Sequence, residues 1–149
     1  MKTIWHWHLP LKTASEANKS SKTITKKYIL KDGSKFEVKK KKTENHWDAA
    51  KRHRIQKEKI KAVLLKERPQ ITTPATIVLT RIAPRALDAK DNLPMSFKWI
   101  SDAIAEYIIP GKTVGRADDC KDIQWQFKQE KGNVREYAIR IEIMMEKNE

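Results

Sequence analysis

Two short acidic segments in the second half of the chain hold the residue types from which phosphoryl chemistry is built. Asp88 and Asp91 stand in Leu87-Asp88-Ala89-Lys90-Asp91-Asn92, and Asp118, Asp119 and Asp122 cluster around Cys120. A hard divalent cation such as Mg2+ takes one or two carboxylates and completes its shell with water and a substrate phosphate oxygen. Such an ion polarises the phosphoryl group and helps to generate a hydroxide nucleophile; Mn2+ accepts the same oxygen donors. Lys98, following Asp91 on the next helix, is of the type that stabilises charge on the phosphorus centre or the leaving oxygen. Aspartates at these positions also serve simply as turn and cap residues. Spacing alone leaves both readings open.

The elements that must position these acids follow from periodicity. Ala75 to Ile82 (ATIVLTRI) is a short β-branched run, expected as a central strand. Pro84 and Arg85 lead from it into the first acidic turn. Pro94 suits the first turn of a helix running to about Ile108. Its core stripe is Phe97, Ile100, Ile104 and Tyr107/Ile108, with Lys98, Asp102 and Glu106 on the opposite side. Residues 110–121 form a loop ending at the second acidic cluster. Ile123, Trp125 and Phe127 alternate with polar residues, as do Tyr137, Ile139, Ile141 and Ile143, which predicts a terminal antiparallel hairpin turning at Lys131-Gly132-Asn133. Both acidic segments therefore adjoin strand ends, from which they could converge on one site.

Upstream, residues 3–9 alternate weakly as a first strand. Thr23–Leu30 and Lys35–Lys40 flank Asp32-Gly33, a strong hairpin signal, and Lys39, Lys40, Lys41 and Lys42 form its cationic end. Residues 45–67 read as a helix with Ile60, Val63 and Leu64 as its apolar patch; Lys51, Arg54, Lys57 and Lys61 recur on one basic face. The order strand, hairpin, helix, strand, helix, hairpin predicts an α+β (mixed α/β) domain spanning residues 1–149, a small mixed sheet with two main helices.

The net charge of +13 is unevenly spread: the first 70 residues hold 20 Lys/Arg against 7 Asp/Glu, and the rest hold 12 of each. A polyanion is the natural partner, because lysines and arginines that neutralise phosphates release condensed counterions; a merely solvated basic surface is the alternative. Phosphate contacts are expected from Lys39, Lys40, Lys41, Lys42, Lys51, Arg54, Lys57, Lys61, Arg81 and Arg85. The lone Cys120 excludes an intrachain disulfide, and no stretch approaches the ~18 apolar residues of a membrane span. A cytoplasmic protein without a membrane partner or small-molecule cofactor is the expectation. Pro110-Gly111-Lys112-Thr113 lacks the upstream glycine of a phosphate loop, Glu106 standing in its place. His6 and His8 lack further ligands for a structural zinc. Trp5, Trp7 and Trp47 are read as core or interface packing rather than base-stacking residues.

Beyond these readings, the second half resembles a family. The segments LTRIAPRALDAKDNLPMSFKWISDAIAEYI, GRADDCKDIQWQFKQEKG and REYAIRIEI, between Leu79 and Ile143, are similar to the RusA-like Holliday-junction resolvases, above all the small phage and prophage forms. The family's acidic turn corresponds to Asp88 and Asp91-Asn92, its helix to Lys98 with Asp102-Ala103, and its second acidic loop to Asp118-Asp119 before Ile123. The first half fits more loosely, with residues 22–44 a lysine-rich hairpin insertion. Three departures stand out: the first two acids are three apart rather than two, the Asn92–Lys98 stretch is longer than in the best-known members, and Cys120 interrupts the acidic run. The resemblance implies a homodimeric, magnesium-dependent endodeoxyribonuclease that resolves branched DNA in recombination, repair or phage replication. It implies Asp91, Asp118 or Asp119, and Asp88 as metal ligands, Lys98 as the catalytic cation, and Asn92 and Asp102 as supporting residues. A non-catalytic DNA- or RNA-binding protein on the same fold is the alternative expectation.

Overall fold

The computed structural model describes residues 2–14, 21–43, 46–111 and 119–146. In chain order the elements are β1 (Lys2–Leu9), β2 (Ser21–Ile29), β3 (Lys35–Thr43), α1 (His46–Glu67), β4 (Ala75–Ala83), α2 (Asn92–Ser96), α3 (Lys98–Ile108), β5 (Ile123–Lys131) and β6 (Ala138–Met145). They form an α+β arrangement: a four-stranded mixed sheet in the order β1-β6-β4-β5, helices, and a separate two-stranded β2-β3 sheet.

All nine residues of β4 are buried, as its β-branched run predicts. A strand buried along its length must satisfy the backbone groups of both edges within the sheet. β5 does so in parallel on one side and β6 antiparallel on the other. The expected terminal hairpin is therefore not formed: β5 and β6 are joined in sequence, but β4 lies between them. The connection after β5 must cross two strand spacings, ~10 Å, which a tight turn cannot do. It begins at Gly132, whose N–H donates to Ala83 O at 2.9 Å. A Cβ there would come within 3.2 Å of Ile82 Cγ2 and Glu136 O, so the close approach favours glycine.

Alternation gives the sheet two unlike faces. Cross-strand rows Trp5-Ile143-Ile77-Trp125 and Trp7-Ile141-Leu79-Phe127 build the apolar face. The rows His6-Glu142-Val78-Gln126 and His8-Arg140-Thr80-Lys128 build the other. The apolar rows join Ile60 and Leu64 of α1, Leu93 of α2, Phe97, and Ile100, Ala103, Ile104 and Ala105 of α3 in one core. Phe97 is fully buried and stacks on Phe127 with centroids 5.8 Å apart; burial of such a ring stabilises by roughly 1.5–3 kcal/mol. It also marks a break. The helix expected from Pro94 to Ile108 is two helices, α2 and α3, with Phe97 between them at φ −102°, ψ 3°.

The β2-β3 hairpin follows its turn chemistry. Asp32 Oδ1 accepts from Ser34 N (2.9 Å) and Ser34 Oγ (2.6 Å), and Gly33 takes the left-handed φ of +84°. The bonds from Ser34 hold the Asp32 carboxyl below its ordinary pKa. Among the described residues, none of the hairpin belongs to the core cluster. Among the described residues, no helix is long and apolar enough to cross a membrane.

Candidate functional site

The first acidic turn is fastened to the sheet before it reaches its acids. The Leu87 N–H donates to Gln129 Oε1 at 2.9 Å, and Gln129 Nε2 donates back to Leu87 O at 2.8 Å. Arg81 Nη1 donates to Arg85 O at 2.7 Å. Beyond these anchors the two aspartates divide the work. Asp88 Oδ2 accepts the Asp91 N–H at 3.1 Å, and Asp88 O accepts the Leu93 N–H at 2.8 Å. Asp88 is thus the turn-former. Asp91 occupies the N-cap position of α2 but makes no side-chain cap hydrogen bond, and it is exposed. The pair follows β4 in sequence, in a turn fastened beside the carboxyl-terminal part of β5 at Gln129.

Lys98 opens α3 and is exposed, with Nζ 5.9 Å from the Trp99 ring centre. Trp99 is a junction that sequence alone does not reveal. His53 of α1 stacks on it at 4.0 Å, and Lys57 Nζ lies 5.5 Å from its ring centre. The side of α3 opposite its stripe is not a solvated face. Asp102 is 2% exposed, and Glu106 reaches Lys57 and Lys61 of α1 at 3.6 and 3.7 Å. The His53-Trp99 stack and the ion pairs of Glu106 hold α1 against this flank. Asn92, the first residue of α2, is half-buried.

The second acidic segment lies elsewhere. The Ala75 N–H donates to Asp122 O at 3.0 Å, so the approach to β5 is held beside the start of β4. The Asp88/Asp91 turn is held at Gln129, near the end of β5. The six residue steps from Ile123 to Gln129 span ~20 Å of extended chain. The structure therefore brings Asp88 and Asp91 together and sets Asp119 at the opposite end of the same strand pair. Parallel pairing is the reason: α3 must carry the chain back to the starting edge before β5 begins. Asp118 lies outside the described residues. Among the described residues, no three His, Cys, Asp or Glu side chains gather as a metal-binding group.

The cations also sort by context. Lys39, Lys40 and Lys41 on β3 are exposed, as are Lys51, Arg54 and Arg85; the Lys42 side chain lies outside the described residues. Arg54 is 3.9 Å from Glu58, and Lys57 and Lys61 are engaged with Glu106. Arg81, expected as a phosphate contact, is instead buried in the central strand, where its guanidinium holds the turn at Arg85. Burial lowers its pKa from the ordinary arginine value. Trp5 and Trp7 stack on each other at 5.8 Å and pack on the core, as expected, whereas Trp47 is 75% exposed. No protein-family model, curated protein or solved structure matches the chain.

Proposed function

We propose that the protein is a magnesium-dependent endonuclease of branched DNA, of the RusA-like kind, acting as a homodimer in recombination, repair or phage replication. The observation that carries this reading is the division between Asp88 and Asp91: one carboxylate makes the turn, and its neighbour stands exposed with no side-chain capping bond. The donor set fits Mg2+, which needs only one or two carboxylates when water and phosphate fill its remaining positions. Asp91 would hold the ion, and Asp88 would contribute the oxygen not engaged with the Asp91 N–H. When bound, magnesium supplies electrophilic stabilisation of the phosphoryl oxygens. Lys98 offers a mobile ammonium for charge developing on the substrate. Arg85, Lys51 and the β3 lysines hold the flanking phosphates.

The opposite placement of Asp119 gives dimerisation a chemical reason. A two-fold axis that sets the β4-β5 pairs of two copies antiparallel would carry the Asp91 turn of each copy to the Asp119 loop of the other. Two equivalent sites follow, suited to symmetry-related strands of a junction.

Cutting of a synthetic four-way junction in magnesium tests the reading. Asp91→Asn should lower cutting by about a hundredfold or more, a loss on the scale of one transition-state electrostatic contact, and leave junction binding intact. Co-expression of Asp91→Asn with Asp119→Asn should restore nicking, because a mixed dimer keeps one complete site; a single-chain site predicts no recovery. The separation of Asp119 from Asp91 within one chain favours a second reading, a DNA- or RNA-binding protein without catalysis. Tight junction binding with no cutting in magnesium or manganese would select it.

A further inference from the structure

We infer that the β2-β3 hairpin carries a stacking surface for unpaired nucleotides, formed by Tyr28 and Phe36 and edged by Lys26 and Lys40. The register pairs Tyr28 with Phe36, Lys26 with Val38 and Ile24 with Lys40. Side chains of non-adjacent pairs along such a ribbon share a face, so Ile24, Lys26, Tyr28, Phe36, Val38 and Lys40 lie together. The opposite face is mainly polar, with Thr23, Thr25 and Lys39, and with Lys27 3.7 Å from Glu37, and it ends at Ile29. The two rings are already stacked, with centroids 5.0 Å apart and planes at 14°, yet each residue is 44% exposed. A shallow hollow runs beside them, lined by Ile24, Lys26, Tyr28, Val38, Lys40 and Lys41.

A two-stranded hairpin is marginal by itself, and its apolar face here adds nothing to the core. Charge selects the occupant. Acids on this ribbon are few: Asp32 is spent in the turn and Glu37 lies on the far face, whereas lysines border the rings. A second copy presenting this same face would set lysine against lysine, while a nucleic-acid strand brings a phosphate to each lysine. Flat, exposed rings suit bases, since stacking needs no sequence and tolerates every base. Duplex bases are already stacked on each other, so the acceptors are bases left open, as at the crossing point of branched DNA. The inference rests on the branched-DNA reading for the source of those bases.

The test uses the full-length protein with three probes: a four-way junction carrying 2-aminopurine at the branch point, a single-stranded oligonucleotide, and a duplex. Wild type should change the 2-aminopurine fluorescence on binding. Tyr28→Ala/Phe36→Ala should abolish that change and weaken junction and single-strand binding about tenfold per ring, with duplex binding and the thermal melt unchanged. Tyr28→Trp should retain the signal. The double variant binding and quenching like wild type overturns the inference and leaves the branched-DNA reading standing. A double variant that falls from dimer to monomer overturns it too, by assigning the face to a second copy. Failure of the wild type to bind any of the three probes sinks both.

Discussion

The four-stranded sheet and the β2-β3 hairpin are built by the same device, alternation along paired strands, and they end in opposite environments. In the sheet, Ile77, Leu79, Ile139 and Ile143 are wholly buried; in the hairpin, Ile24, Tyr28 and Phe36 are exposed. Alternation makes an apolar face but does not decide what covers it. The sheet face becomes core because α1, α2 and α3 close over it, whereas the hairpin supplies the same kind of face without a helical layer. The core and the exposed apolar face thereby lie in different parts of the chain, which makes them separable by mutation.

The largest break should come from the core. Leu79→Ala removes a wholly buried side chain from the central strand and should cost about 3 kcal/mol, read from urea unfolding. Tyr28→Ala should cost less than about 0.5 kcal/mol in the same measurement, as expected of an exposed site. Equal losses would mean that the hairpin is part of the cooperative core. A smaller and more pointed effect is expected at Gln129. Gln129→Ala removes both bonds to Leu87, which should cost about 1–2 kcal/mol and loosen the Asp88/Asp91 turn. Junction cutting should fall while junction binding holds; unchanged cutting would show that the clamp does not position Asp91.

The smallest effect concerns the polar face of the sheet. Arg140 grips Glu130 through two bonds, of 2.7 and 3.2 Å, and these hold the Glu130 carboxyl below its ordinary pKa. The folded state then binds this proton less readily than the unfolded state. Its contribution is present above the ordinary glutamate range and is lost as pH falls through the lowered value. Glu130→Gln should therefore lower the urea midpoint slightly at pH 7 and bring no further loss at pH 3. An equal loss at both pH values would assign the effect to packing rather than charge.

Much of the fold was legible where the determining interactions are local. The β-branched run Ala75 to Ile82 is β4, the 45–67 pattern is α1, and Asp32-Gly33 turns the hairpin. Other features were not legible. Alternation shows that β5 and β6 each bury one face, but it carries no information on which edge they join, and β4 separates them. Arg81 reads as a free cation until the central strand buries it, and Asp102 lies opposite the apolar stripe of its helix yet is buried. At the candidate site, the residue types of Asp88, Asp91 and Lys98 were visible, but the clamp from Gln129 and the His53-Trp99 stack join residues too distant in sequence to be paired by pattern.

The sequence by itself determined what depends on neighbours a few residues apart: strand and helix periods, turn conformations, the uneven charge, and two acidic segments beside strand ends. Tertiary structure alone decided that those segments stand at opposite ends of β4 and β5. The physical reason is the parallel pairing of these strands. It forces the chain to return through α3 before β5 begins, so the two acidic segments are kept apart within one chain.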